Sequence, residues 1–77
     1  MALTVEFTVE PFRDGAPGPH VTAALEAARA TGLEVDFGPF GTSVTGDDAD
    51  VLAAMAPISQ AAIAAGASRI SFQVAPN

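Results

Sequence analysis

The segment "LTVEFTVE" alternates apolar and polar residues without a break, with Leu3, Val5, Phe7 and Val9 on one side and Thr4, Glu6, Thr8 and Glu10 on the other. Side chains along a strand point to opposite faces in turn, so this period of two predicts a half-buried strand. The alternation returns at Leu33, Val35 and Phe37 against Glu34 and Asp36. It returns again at Ile70, Phe72 and Val74 against Arg69, Ser71 and Gln73. After a turn at Gly38-Pro39, residues 40–45, rich in Thr, Ser and Val, predict one more strand.

Two helical patterns fill the gaps. "PFRDGAPGP" breaks regular structure with its prolines and glycines. Gly18 then suits an N-cap and Pro19 the first helical position, where no hydrogen bond is lost. Val21, Ala24, Leu25 and Ala28 follow helical spacing, and Gly32 stands where a left-handed C-cap belongs. Asp47 can cap a second helix, with Asp48 and Asp50 in its positive first turn. Its apolar stripe is Val51, Leu52, Met55, Ile58, Ala62 and Ile63, and Gly66 ends it. Pro57 removes a hydrogen bond to Ala53 and predicts a kink or a restart.

The order is βαββαβ, the ferredoxin-like pattern of an α+β fold. One domain over 1–77 is expected, a four-stranded antiparallel sheet in the order 4-1-3-2 with both helices on one face and right-handed crossovers. This topology gathers Phe12, His20, Phe37, Phe40 and Thr42 at one edge of the sheet. Apolar and aromatic groups with a few polar ones between them have the make-up of a small-molecule pocket.

Composition removes several function classes. The net charge is −6, with three arginines and no lysine, so a nucleic-acid backbone is repelled and no nucleic-acid partner is expected. Without cysteine there is no disulfide, thiolate nucleophile or zinc–sulfur site. The N-terminus has no basic region and does not look like a signal peptide, and a cytoplasmic protein is expected. The uncharged run 51–68 is interrupted by Pro57, Ser59, Gln60 and Gly66 and is mostly alanine, so no membrane helix and no membrane partner are expected. Much of the apolar content is alanine, which makes a thin core, and association with copies of the chain is the usual remedy.

The motifs point to binding. "GPFGTSVTG" lacks the lysine of a phosphate loop, and its glycines precede a strand rather than a helix. Asp47, Asp48 and Asp50 lack the alternate spacing of a calcium loop, and helix capping accounts for all three, so no metal is expected. His20 is a candidate general base near Asp14 or Asp36, but no nucleophile accompanies it. The polar face formed by Thr4, Glu6, Thr8, Glu10, Glu34, Asp36, Ser71 and Gln73 is read either as solvated or as an oligomer interface or site wall. Phe7 and Phe72 belong to the core. Phe12, Phe37 and Phe40 cluster at strand ends where a ring can stack on a planar ligand, although Phe37 shares parity with Val35 and is expected to pack inward.

In "LTVEFTVEPF", "GLEVDFGPFGTSVTG" and "AGASRISFQV" the chain resembles the small thiamine-binding protein family over nearly its whole length. The most specific element is G-P-x-G-T-x-x-x-G, carried by Gly38, Pro39, Gly41, Thr42 and Gly46. Pro11 after the first strand and Gly66, Ala67 and Arg69 before the last also match. Pro19 stands where a serine is usual, and His20 where the residue is often aromatic.

The resemblance implies a ferredoxin-like fold, homo-oligomers (dimer or tetramer), and non-catalytic binding of thiamine or a hydroxymethylpyrimidine-like molecule, with no cofactor. Gly41 then permits close backbone approach, and Thr42 offers a hydroxyl beside aromatic walls. The candidate ligand-binding set is Glu6, Thr8, Phe12, His20, Asp36, Phe37, Phe40, Gly41, Thr42 and Ser43. The acids among them suit a cationic thiazolium. Two other readings share the topology: a regulatory module of the amino-acid-sensing type, and a small enzyme working through His20.

Overall fold

The computed structural model describes residues 1–12, 15, 17–39 and 41–77. Strand β1 (Ala2–Glu10) is followed by helix α1 (Pro19–Ala30), strands β2 (Glu34–Phe37) and β3 (Thr42–Asp47), helix α2 (Asp48–Ala64) and strand β4 (Arg69–Pro76). The sheet runs β2-β3-β1-β4, and every pairing is antiparallel. This is the expected βαββαβ fold. Leu3, Val5, Phe7 and Val9 of β1 all turn to the helix-covered face and are buried, as their alternation requires.

The helices meet through small side chains. Ala24 and Ala28 of α1, and Ala54 and Ala62 of α2, are all buried, with Ile58 the one large aliphatic group among them on the helices' buried faces besides Val51. Alanines four residues apart let two helices approach closely, which is where the alanine-rich composition goes. Phe7 and Phe72 pack as a tilted ring pair with centroids 5.7 Å apart.

The helix ends follow their local chemistry, with one exception. The Gly18 carbonyl accepts from the Val21 and Thr22 N–H groups at 3.1 Å each, so the expected cap is in place. Gly32 and Gly66 both have positive φ, +77° and +104°. At Gly66 the Ala67 N–H reaches the Ala62 carbonyl at 3.0 Å and the Gly66 N–H the Ile63 carbonyl at 3.1 Å, the paired bonds of a left-handed helix stop. The exception is Asp47. It holds the N-cap position, but its side chain makes no capping bond. Instead the Asp48 carboxylate accepts from the Ala49 N–H at 2.9 Å.

Two further expectations change. Helix α2 continues through Pro57 from Asp48 to Ala64 without a restart. The Ala53 residue whose carbonyl Pro57 cannot serve is exposed, so water can reach it, and the Ser59 hydroxyl donates to the Met55 carbonyl at 2.7 Å. Strand β3 starts two residues later than expected and runs on to Asp47, because Gly46 and Asp47 pair with Leu3 and Ala2. Pairing with a long central strand outweighs the turn-forming composition of "TGD". No helix among the described residues is long and apolar enough to cross a membrane.

Candidate functional site

Strand β1 outruns its neighbour. Phe7 is its last residue paired with β3, opposite Thr42, while Thr8, Val9 and Glu10 continue along β4 opposite Ser71, Ile70 and Arg69. The start of α1 lies to one side of this overhang, and the turn between β2 and β3 to the other. Between them is a cavity of about 340 Å³, at the lower end of the range for small-molecule sites.

Its walls come from three parts of the chain. Phe7, Thr8 and Val9 supply the β1 side, and Phe37, Gly38, Pro39, Gly41 and Thr42 the β2–β3 side. Phe12, Gly15, Pro17, Gly18 and Val21 close the third. Two phenylalanines at the rim stay uncovered: Phe12 is 71% exposed and Phe37 47%. The expectation that Phe37 packs inward is therefore not met. Phe37 ends a four-residue edge strand, and its ring borders the cavity instead of entering the core.

Thr42 is the deepest polar side chain of the lining. It is 4% exposed, it borders the cavity, and no other described residue takes a hydrogen bond from its hydroxyl or gives one. No buried side-chain nitrogen or oxygen among the described residues lacks a partner, so this hydroxyl is not a desolvated orphan; it stands on the cavity wall, where a ligand can reach it. Gly41 permits the close backbone approach expected of it. A Cβ there would stand 3.1 Å from the Phe7 carbonyl oxygen, so the close approach it allows is of the turn to β1. Gly38 N–H donates to the Gly41 carbonyl at 2.8 Å and closes that turn.

The expected ligand set divides between two faces of the sheet. Thr8, Phe12, Phe37, Gly41 and Thr42 come together in the cavity. Glu6, Ser43 and Asp36 form a row across β1, β3 and β2 on the open face, since Ser43 is opposite both acids. They border a separate shallow recess of about 230 Å³ with Gly38, Pro39 and Gly41, so the turn is a ridge between two hollows. Phe40 lies outside the described residues.

His20 belongs to neither hollow. It is buried, and its Nε2–H donates to the Pro11 carbonyl at 2.7 Å. His20, Ala24 and Ala28 form the buried stripe of α1, so Ala24 and Ala28 are buried as expected, Val21 and Leu25 are half-buried, and His20 extends the stripe at a spacing of four. Val21, turned by one position, lines the cavity in its place; a helix starting at Pro19 and the His20 stripe together locate it. Among the described residues no three His, Cys, Asp or Glu side chains gather to hold a metal. The Arg69–Glu10 pair, at 3.9 Å and largely exposed, closes the last rung between β1 and β4 and contributes little.

The model of the family described as thiamine-binding protein matches residues 5–75. The chain belongs to the thiamine-binding protein family. The family resemblance noted in the sequence is thereby confirmed, and its G-P-x-G-T element falls on the turn and first β3 residue at the cavity rim. No curated protein matches the chain.

Solved structures share the fold. A domain of unknown function from Bacillus cereus is 22% identical, with a TM-score of 0.74 over 99% of this chain and 74% of that one. A candidate thiamine biosynthesis or salvage protein from Thermotoga maritima is also 22% identical, with a TM-score of 0.74 over 97% and 81%. A hypothetical protein from Methanocaldococcus jannascii is 21% identical, with a TM-score of 0.72 over 99% and 78%.

Proposed function

We propose that this member of the thiamine-binding family is a non-catalytic binding protein for thiamine or its aminopyrimidine part, seated in the cavity at the end of β1. The observation that carries the reading is Thr42, a 4% exposed residue on the wall of a phenylalanine-edged cavity, whose hydroxyl is bonded to no other described residue. A planar aminopyrimidine presents donors and acceptors at its edge and a π-face to Phe12 and Phe37. That matches a site built from rings, aliphatic walls and a few hydroxyls.

The absence of catalysis is part of the proposal. None of the described lining residues is titratable, so these residues offer a ligand shape and hydrogen bonds and not a positioned acid or base. Among the described residues the acids Glu6 and Asp36 lie across the turn, so they draw the cationic thiazolium through the negative field of the chain and not by contact.

Self-association is the second part. The exposed residues of α2 after its first turn include Leu52 and Ile63 and carry no charge. A helix face without charge is poorly solvated by itself, and a second copy of the chain would cover it. Thiamine at about a hundred times its dissociation constant should stabilise the fold by about 2.7 kcal/mol. In a domain of this size that raises Tm by about 10 °C or more. A flat melting curve across a thiamine series reaching millimolar concentration contradicts the proposal.

A further inference from the structure

We infer that His20 is a positioning residue: it clasps two walls of the cavity together and sets the width a ligand ring can occupy. This rests on the reading of that cavity as the ligand site. The bond from His20 Nε2–H to the Pro11 carbonyl, 2.7 Å long, joins residues nine positions apart. A proline carbonyl only accepts, so the shared proton sits on Nε2.

Both ends of this bond adjoin the cavity. Phe12 follows Pro11 directly, and Gly18 and Val21 flank His20. Between Glu10 and Pro19 the described residues belong to neither helix nor strand, so no ladder bond fixes Pro11. The Phe12 ring, largely exposed, is not held by core packing either. The Glu10 carbonyl accepts from the Ser68 N–H at 2.8 Å, so the chain is fixed up to Glu10, and among the described residues the tether at Pro11 is the next hold on it, joining the Phe12 wall to the α1 wall. His20 is 2% exposed on the Ala24 and Ala28 stripe, so the donor end of the tether is anchored in the core. A rigid donor on a helix gripping a loop carbonyl fixes a site wall more firmly than the loop could by itself.

The His20–Pro11 bond is part-buried, so water makes up only part of the lost donor when His20 is changed. The cost then appears in the position of Phe12. Two variants separate donor from shape: His20→Gln keeps an N–H at about the place of Nε2, and His20→Phe keeps a ring without a donor. His20→Leu, smaller and also without a donor, serves should the phenylalanine not fit the core.

The test has a ligand-free arm and a binding arm. With 4-fluorophenylalanine at position 12, the parent and His20→Gln should show one narrow fluorine resonance at the same shift. The donorless variants should shift it toward that of the free amino acid. In thiamine titrations a donorless variant should lose about tenfold in affinity, equivalent to one buried hydrogen bond, and His20→Gln less than about threefold. In a Phe12→Ala background the donorless change should add less than about threefold, because the wall it positions is gone. An unchanged fluorine resonance in the donorless variants, or a full tenfold loss persisting without Phe12, overturns the inference. Should the parent itself not bind thiamine, the ligand reading fails and the fluorine comparison still decides on the clasp.

Discussion

The Phe7 carbonyl oxygen sits so close to Gly41 that a Cβ at that position would stand 3.1 Å from it. This contact holds the β2–β3 turn against β1 at the last rung of their ladder, where Phe7 is opposite Thr42. The turn is consequently a fixed wall of the cavity, with Thr42 placed directly after it.

Gly41→Ala should therefore destabilise the fold by about 1–3 kcal/mol, as overpacking against a backbone that cannot yield does. Urea unfolding checks it. The same variant should bind thiamine more weakly, since the turn must lift from β1.

Thr42→Val keeps volume and suits a strand but removes the hydroxyl. Binding should weaken by about 1 kcal/mol or more, while the urea midpoint stays close to that of the parent. Calorimetric titration beside the unfolding curve separates the two effects. Equal affinity for thiamine in the variant would show that the hydroxyl does not meet the ligand.

Glu6→Gln and Asp36→Asn remove acids on the far side of the turn. Each should change affinity by less than about threefold, and by less still in high salt, because the attraction acts through solvent over a distance. A larger loss at either position would place the ligand in the open-face recess.

Leu52→Glu together with Ile63→Glu puts charges on the exposed face of α2. Light scattering should show the parent as a dimer or tetramer and the double variant as a monomer. The secondary structure should be retained, because neither side chain belongs to the core. A parent that is already monomeric at micromolar concentration contradicts self-association.

The fold was legible because its decisive signals are local. The alternation of Leu3 to Glu10, the glycines at 32 and 66 and the Gly18-Pro19 start each act within a few residues, and the antiparallel order follows from their sequence. The site was legible only in part. Parity correctly placed Glu6 and Asp36 on the open face, where Ser43 joins them, yet proximity to the turn drew all three into one set with Thr42, although the sheet lies between them. Phe37 keeps its parity, opposite Thr42 on the face of Phe7, but stays uncovered because edge position, a tertiary property, decides whether a helix covers it. The Ala24 and Ala28 part of the α1 stripe was legible, but its extension back to His20 was not, because a polar histidine in the first turn gives no apolar signal.

The most direct test is an amide chemical-shift titration of the uniformly labelled protein with thiamine. The account predicts saturable shifts concentrated at Thr8, Val9, Phe12, Val21, Phe37, Gly41 and Thr42, reproduced by the pyrimidine alcohol and hardly at all by the thiazole alcohol. Shifts centred on Glu6, Asp36 and Ser43, on the α2 face, or nowhere at millimolar thiamine would contradict it.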